Sequence, residues 1–578
     1  MNYLLVAINA KYIHSNLGVY SLKAYADQQC SADYPNGNIQ IGEYTINHSL
    51  EMILGDLYRK HPDVVGFSCY IWNIEYVKHL LRDLPKILPD LRIWLGGPEV
   101  SYNGPELLAE FPQVTGVMTG EGEGTFAELV RCYELPDSDS GKERGLEGIP
   151  GIVYRDPYTG RVCQNPPAPL LDLSAIPFPY HVLKDFQHRI IYYESSRGCP
   201  FSCSYCLSSI DKSVRFRDLA LVKKELQFFL DQKVPQVKFV DRTFNCRKSH
   251  AMEIWTYLTE HDNGITNFHF EIAADLLDEE ELELFRRMRP GLIQLEIGVQ
   301  STNLRTIKAI RRSMNLDKVR DMTARVRAGR NIHQHLDLIA GLPFEDLESF
   351  RTSFDQVYDM RPDQLQLGFL KVLKGSFMEE EKDQYHLSFT GRPPYEVLST
   401  RWLSYGDVLQ LKQVEEMVEV YYNSGQFGQT ISRLEKLFSR PVELFEALAG
   451  WYESRRLTDI GHSRQARYEI LFDFIKTYFP QELETFRDTL TVDIYLRENA
   501  KTRPAFARDL SSNRDAFRQF YQAEERKRQY LKGYDDYDAR QLAKMTHIEV
   551  LQDGRMLLFD YRNREPLSHN ASVFKIFL

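Results

Sequence analysis

The chain has 578 residues, 43% of them hydrophobic and 26% charged, which exceeds one hydrophobic core and predicts three or four domains. A formal net charge of −10 argues against broad nucleic-acid binding. No stretch reaches the roughly 20 apolar residues that span a membrane. Residues 3–8 form a strand-length run without a basic flank, too short for a signal peptide. Cys30, Cys69, Cys132, Cys163 and Cys246 are scattered in sequence, which suits a reducing compartment better than a disulfide framework. A cytoplasmic protein is expected.

Apolar runs at 4–8, 39–44, 64–68, 93–95 and 114–119 alternate with helix-length segments, the pattern of a parallel sheet with right-handed crossovers. Such sheets bind ligands beyond the carboxyl ends of their strands. There stand Asn9 after the first run and Ser68, Tyr70, Trp72 and Asn73 after the third. Gly96-Gly97-Pro98-Glu99 follows the fourth, and Gly120-Glu121-Gly122-Glu123-Gly124 the fifth. The last loop opens a helix, whose N-terminus favours an anionic group. No Gly-x-Gly-x-x-Gly follows the first strand, which argues against a nicotinamide or flavin dinucleotide. A polar linker is expected over 136–148, then a hairpin (151–155 with 161–164) and a strap carrying Pro166, Pro167, Pro169, Pro177 and Pro179.

Residues 197–206 read Arg-Gly-Cys-Pro-Phe-Ser-Cys-Ser-Tyr-Cys, placing Cys199, Cys203 and Cys206 at the spacing Cys-x3-Cys-x2-Cys after a strand-like 190–194. A short loop of this kind turns three thiolates toward one point, as an iron–sulfur cluster needs. Zinc sites pair two Cys-x2-Cys units or add histidines, and neither is present. From 190 to 371 the strand–helix pattern repeats six times, with strands ending near Ser196, Asp241, Glu271, Gly298, Gly341 and Lys371. Six units are too few for a closed eight-stranded barrel, so a partial one is expected, with chemistry at the carboxyl ends of its strands. Beyond about 380, segments at 414–422, 442–455, 468–478 and 516–530 show helical periodicity with many aromatics. A hairpin is expected from 547–551 to 556–561 through Asp553-Gly554. The aromatics read as a helical core more readily than as a substrate lid, and Arg526-Lys527-Arg528 as a solvated helix face.

The cysteine motif resembles that of the radical S-adenosylmethionine (SAM) superfamily. With the Gly-Gly-Pro-Glu and Gly-Glu-Gly-Glu loops ahead of it, the chain up to about residue 380 resembles the cobalamin-dependent radical SAM enzymes. The helical remainder looks like the uncharacterised domain that accompanies a subset of that family. The resemblance implies an α/β fold in four parts: a Rossmann-like cobalamin-binding domain (1–135), a linker with hairpin (136–185), a partial (β/α)6 barrel (186–379) and a mainly helical domain (380–578). It implies one four-iron cluster on Cys199, Cys203 and Cys206, with an iron left open for SAM. Tyr205, Asp241, Glu271, Gln300 and Arg312 are the implied SAM contacts, with Arg311 as a substitute for Arg312. Asn9, Ser68, Tyr70, Trp72, Asn73, Gly96, Gly97, Pro98, Glu99, Gly120, Glu121 and Glu123 are the implied cobalamin contacts. Asp-x-His-x-x-Gly, which carries the cobalt-ligating histidine in other cobalamin proteins, is missing. His14 is its nearest imitation, and Tyr70, Trp72 and Asn73 are candidates for the lower corrin face, although Trp72 is equally explained by packing.

The expected activity is methylation of an unactivated carbon through a 5′-deoxyadenosyl radical and methylcobalamin. Electrons would come from a flavodoxin or ferredoxin, and the substrate would be a small or lipid-like molecule. Cobalamin-assisted cyclisation or rearrangement is the alternative within the class. A corrin-sensing or RNA-binding module on a radical SAM core is the alternative outside it.

Overall fold

A computed structural model of the chain describes residues 1–30, 38–134 and 145–577, so most of the expected linker at 136–148 lies outside the described residues. The first sheet contains β1 (Asn2–Asn9), β2 (Asn38–Thr45), β3 (Val64–Ser68), β4 (Arg92–Gly96) and β5 (Gly116–Met118), all parallel, in the order β2-β1-β3-β4-β5. β1 is buried at every residue after Asn2, because helices cover both faces. That burial explains why it reads as an unbroken apolar run. The order reverses between β1 and β3, which opens the ligand crevice at Asn9 and Ser68. The expected hairpin forms as β6 (Ile152–Arg155) and β7 (Val162–Gln164), and it extends this sheet antiparallel from β5.

The second sheet is all-parallel and runs in chain order: β8 (Ile191–Tyr193), β11 (Gln236–Phe239), β12 (Asn267–Ile272), β13 (Ile293–Gln300), β14 (His333–Ala340) and β15 (Gln364–Phe369). Between β8 and β11 lies a two-stranded pair, β9 (Ser196–Arg197) with β10 (Arg215–Phe216). On β13, Ile293, Leu295, Ile297 and Val299 are buried in the apolar core, while the alternate Gln294, Glu296, Gly298 and Gln300 are only half-buried. Strand side chains alternate between faces, so the second set lines the concave interior. Among the described residues the six strands do not close, as expected of a partial barrel.

Helices from Tyr405–Val418 onward share one continuous core with the outer face of this sheet. Their aromatics are core residues: Tyr421, Tyr452 and Tyr468 are at most 2% exposed, and the Tyr421 and Tyr452 hydroxyls lie 2.7 Å apart. The lid reading is not what the packing gives. Asn423 closes the free edge of β15, accepting from Leu365 N–H at 2.9 Å and donating to Leu365 C=O at 2.8 Å. An edge strand otherwise presents unpaired backbone groups. A terminal antiparallel sheet comprises β18 (Thr546–Val550), β19 (Met556–Arg564) and β20 (Ala571–Ile576), preceded by a small pair, β16 (Ser388–Phe389) and β17 (Val397–Ser399). The third strand, β20, was not expected. No helix among the described residues is long and apolar enough to cross a membrane.

Candidate active site

The β9–β10 ladder, pairing Arg197 with Arg215 and Ser196 with Phe216, pins both ends of the cysteine loop. Gly198 opens that loop at φ +93°, and a side chain there would meet the Ser213 carbonyl at 2.6 Å, so only glycine fits. Cys206 N–H donates to Cys203 C=O at 3.1 Å, and Ser204 N–H to Ile310 C=O at 2.9 Å, which turns the loop inward. Cys199 and Cys203 are buried, Cys206 is half-buried, and none is in a disulfide. Burial raises the Cys203 thiol, and the Arg312 guanidinium 3.7 Å away draws it back down. Three thiols in one short loop, with a cation beside Cys203, fit a cluster of net negative charge. Cys246 is not isolated, as its place in the sequence suggested. It lies within electrostatic reach of Cys199 and Asp241, and burial pushes its thiol up to about 11.

Of the expected SAM contacts, Tyr205, Gln300 and Arg312 come together. Arg312 donates to the Tyr205 hydroxyl at 3.4 Å and to Gly298 C=O, and its Nε is buried without a partner. Gln300 sits at φ +72° over Gly298, with its Oε1 buried and unsatisfied. Orphaned buried polar atoms in a barrel mouth are what a bound polar ligand would satisfy. Arg311 points away, pairing with Glu381. Asp241 is bonded from within the chain. It accepts from Ser195 N–H at 3.0 Å and from the Ser195 and Ser196 hydroxyls at 2.6 Å each, so it anchors the strand leading into the cysteine loop. Desolvation is strong enough there to push its carboxyl up to about 6. Glu271 makes no hydrogen bond among the described residues, and burial raises it to about 7 against the pull of Arg242.

The expected cobalamin contacts divide in two. Tyr70 and Trp72 stack with centroids 4.3 Å apart and planes 11° from parallel, and Trp72 is 42% exposed. Beside them, a side chain at Gly120 would meet nothing, leaving that rim open. The Gly97 requirement is internal: at φ +108° a side chain would strike the Cys69 carbonyl at 2.6 Å. Gly96 is half-buried and Pro98 is exposed. Asn9, Ser68 and Asn73 hold the loops in place. Asn9 donates to Glu43 and His14 C=O, Asn16 to Ser68, and Asn73 to Ile8 C=O and Ser68 C=O.

The three glutamates form ion pairs with residues of the barrel side. Glu99 bonds Lys374 at 2.8 Å and the Tyr395 hydroxyl; Glu121 bonds Arg215; Glu123 bonds Arg197 at 2.8 Å. His14 is likewise engaged, its Nδ1 lying 2.7 Å from the Tyr192 hydroxyl. These pairs lock the crevice of the first sheet over the mouth of the second. Tyr70 thereby comes within electrostatic reach of Arg242 and Glu194.

Three family models match: the B12 binding domain over residues 3–130, the radical SAM superfamily over 193–357, and a protein of unknown function (DUF4080) over 383–565. The chain is 27% identical over 352 residues to a 2-(S-pantetheinyl)-carbapenam-3-carboxylate methyltransferase from Streptantibioticus cattleyicolor, covering 57% of this chain and 49% of that one. It is 24% identical over 351 residues to the anaerobic magnesium-protoporphyrin IX monomethyl ester cyclase of Rubrivivax gelatinosus, covering 57% and 62%. The chain thus spans about half to three-fifths of these relatives. Its fold matches the cobalamin-dependent S-adenosylmethionine radical enzyme OxsB with aqua-cobalamin bound, at a TM-score of 0.59 and 16% identity, over 86% of this chain and 79% of that one. With a B12 binding domain set directly ahead of a radical SAM domain, the chain belongs to the cobalamin-dependent radical SAM family.

Proposed function

We propose that the chain is a cobalamin-dependent radical SAM methyltransferase acting on an unactivated carbon of a small molecule. One observation carries the reading: Arg197, two residues before Cys199, is held by Glu123 in the first turn of the helix that follows β5. That ion pair sets the corrin-side segment next to the cysteine loop, and in this reading the two share one cavity. When bound, the cluster, SAM and cobalamin supply a carbon radical and a methyl donor to that cavity. In this reading Cys199, Cys203 and Cys206 hold the cluster. Arg312 offers its planar fork to the SAM carboxylate, Gln300 its amide to the ribose, and Tyr205 orients Arg312. Asp241 fixes the Ser195–Ser196 turn, and Tyr70 and Trp72 give the corrin a flat apolar face. The four parts are assigned as 1–135, 136–185, 186–379 and 380–578. A cytoplasmic location, with a flavodoxin or ferredoxin as electron donor, fits the need for a reduced cluster.

The similarity to a cyclase supports cyclisation as the second reading. SAM with a deuterated methyl group separates the two. Methylation consumes SAM twice, so S-adenosylhomocysteine and 5′-deoxyadenosine should form in near-equal amounts, with the label on product carbon. An unlabelled product formed alongside 5′-deoxyadenosine would replace methylation with cyclisation.

The state of cobalt gives a further expected result. His14 bonds Tyr192 through Nδ1 only, so the case against a histidine on cobalt rests on the missing Asp-x-His-x-x-Gly. The cob(II)alamin signal should lack nitrogen superhyperfine splitting and be the same in His14→Ala. Splitting that disappears in the variant would show that His14 ligates cobalt.

A further inference from the structure

The concave face of the second sheet carries a set of ionisable groups that the proposed reaction leaves unused. The segment His333-Gln334-His335-Leu336-Asp337 alternates, so His333, His335 and Asp337 share one face of β14. The register places His335 beside Glu296 of β13, and Asp337 beside Gly298. One ligand atom each from Glu296, His335 and Asp337 lies within 4.8 Å of the other two.

The orientation of these atoms is the informative point. His335 Nε2 and Asp337 Oδ1 form an ion pair at 3.0 Å, misaligned for a hydrogen bond, and neither atom has a further partner among the described residues. His335 is only 7% exposed, so burying a ring nitrogen with this contact alone is costly. A cation set between these two atoms and Glu296 would satisfy both. Ligands about 2.1 Å from a divalent ion and at right angles to one another lie about 3 Å apart. Glu296 completes the arrangement. Lys238 at 2.9 Å and His269 at 2.8 Å both bond its Oε2, leaving Oε1 without a hydrogen bond among the described residues. Lys238 and His269 thus hold the carboxylate in place, as outer partners of ligands do.

We propose that Glu296, His335 and Asp337 form a mononuclear site for a borderline divalent cation of the Mn²⁺, Fe²⁺ or Zn²⁺ class. One imidazole and two carboxylates suit such ions, and three protein ligands leave positions open. Asp337 pairs in register with Gly298, the residue over which Gln300 and Arg312 meet. The ion would therefore lie directly beneath the expected SAM contacts, where an open position can take a hydroxyl or carboxylate oxygen of a substrate. That role rests on the proposed function; the existence of the site does not.

The test is a Mn²⁺ titration of the anaerobically reconstituted full chain, read by loss of the free-ion electron paramagnetic resonance signal. Wild type should take up one equivalent. His335→Gln and Asp337→Asn should each weaken uptake by about tenfold or more while keeping the cluster chromophore, which reports folding. The Cys199, Cys203 and Cys206 triple alanine variant should still bind Mn²⁺. Absence of stoichiometric uptake by wild type, with Zn²⁺ failing as well, would overturn the proposal. Equal uptake by the two β14 variants, or uptake lost in the cysteine variant, would overturn it too. None of these outcomes bears on labelled-methyl transfer, so the two proposals fail separately.

Discussion

Replacing Cys199, Cys203 and Cys206 together by alanine is expected to take reconstituted iron from about four atoms per chain to none and to abolish SAM cleavage. Loss should be complete, because the other five cysteines lie outside this loop. Cys246 is the necessary control. It stands within reach of Cys199, but it belongs to the loop after β11 and lies outside the turn that the β9–β10 ladder pins. Cys246→Ala should keep both the brown chromophore and SAM cleavage. If the triple variant still held about four irons, or Cys246→Ala lost them, the three-cysteine assignment would be wrong.

What was legible in the sequence follows from what each feature depends on. Strands of a parallel sheet buried on both faces are apolar runs, so β1 to β5 stood out, as did the cysteine triad, whose chemistry lies in its spacing. Partners distant in sequence were not legible. Glu99, Glu121 and Glu123 occupy loops where corrin contacts are expected, and nothing local shows that they pair with Lys374, Arg215 and Arg197. The bonds of Asp241 were illegible for the same reason, since its partners Ser195 and Ser196 come from the segment after β8 and from β9. Some signals were present but unread. The alternation of His333, His335 and Asp337 was one, and the strand-like residues of β20 were another.

The strap between the two sheets supplies the other large expected effect. Arg217, just beyond β10, donates Nε and Nη2 to Glu225 at 2.9 and 2.5 Å, a bidentate pair with side chains 8% and 7% exposed. Nη1 donates to the Leu173 and Ile176 carbonyls, which fastens the proline-rich strap to the barrel. The Tyr193 hydroxyl of β8 donates to the same Glu225 at 2.6 Å. One guanidinium thus joins the strap, the helix Leu219–Asp231 and, through Glu225, the strand that leads to the cysteine loop. Arg217→Met fills much of the volume but leaves the Glu225 carboxylate buried with only Tyr193 as a partner. Breaking one side of a buried pair costs about 3–5 kcal/mol. A marked fall in the melting midpoint is expected, together with faster hydrogen exchange in both the strap and β8. Adding Glu225→Leu removes the stranded charge and should recover part of the loss. It should not recover all of it, because the Leu173 and Ile176 carbonyls still lack their donor. Melting of Arg217→Met at the wild-type midpoint would show that the pair contributes nothing net. A double variant no more stable than the single one would show that the strap contacts, and not the buried carboxylate, carry the effect.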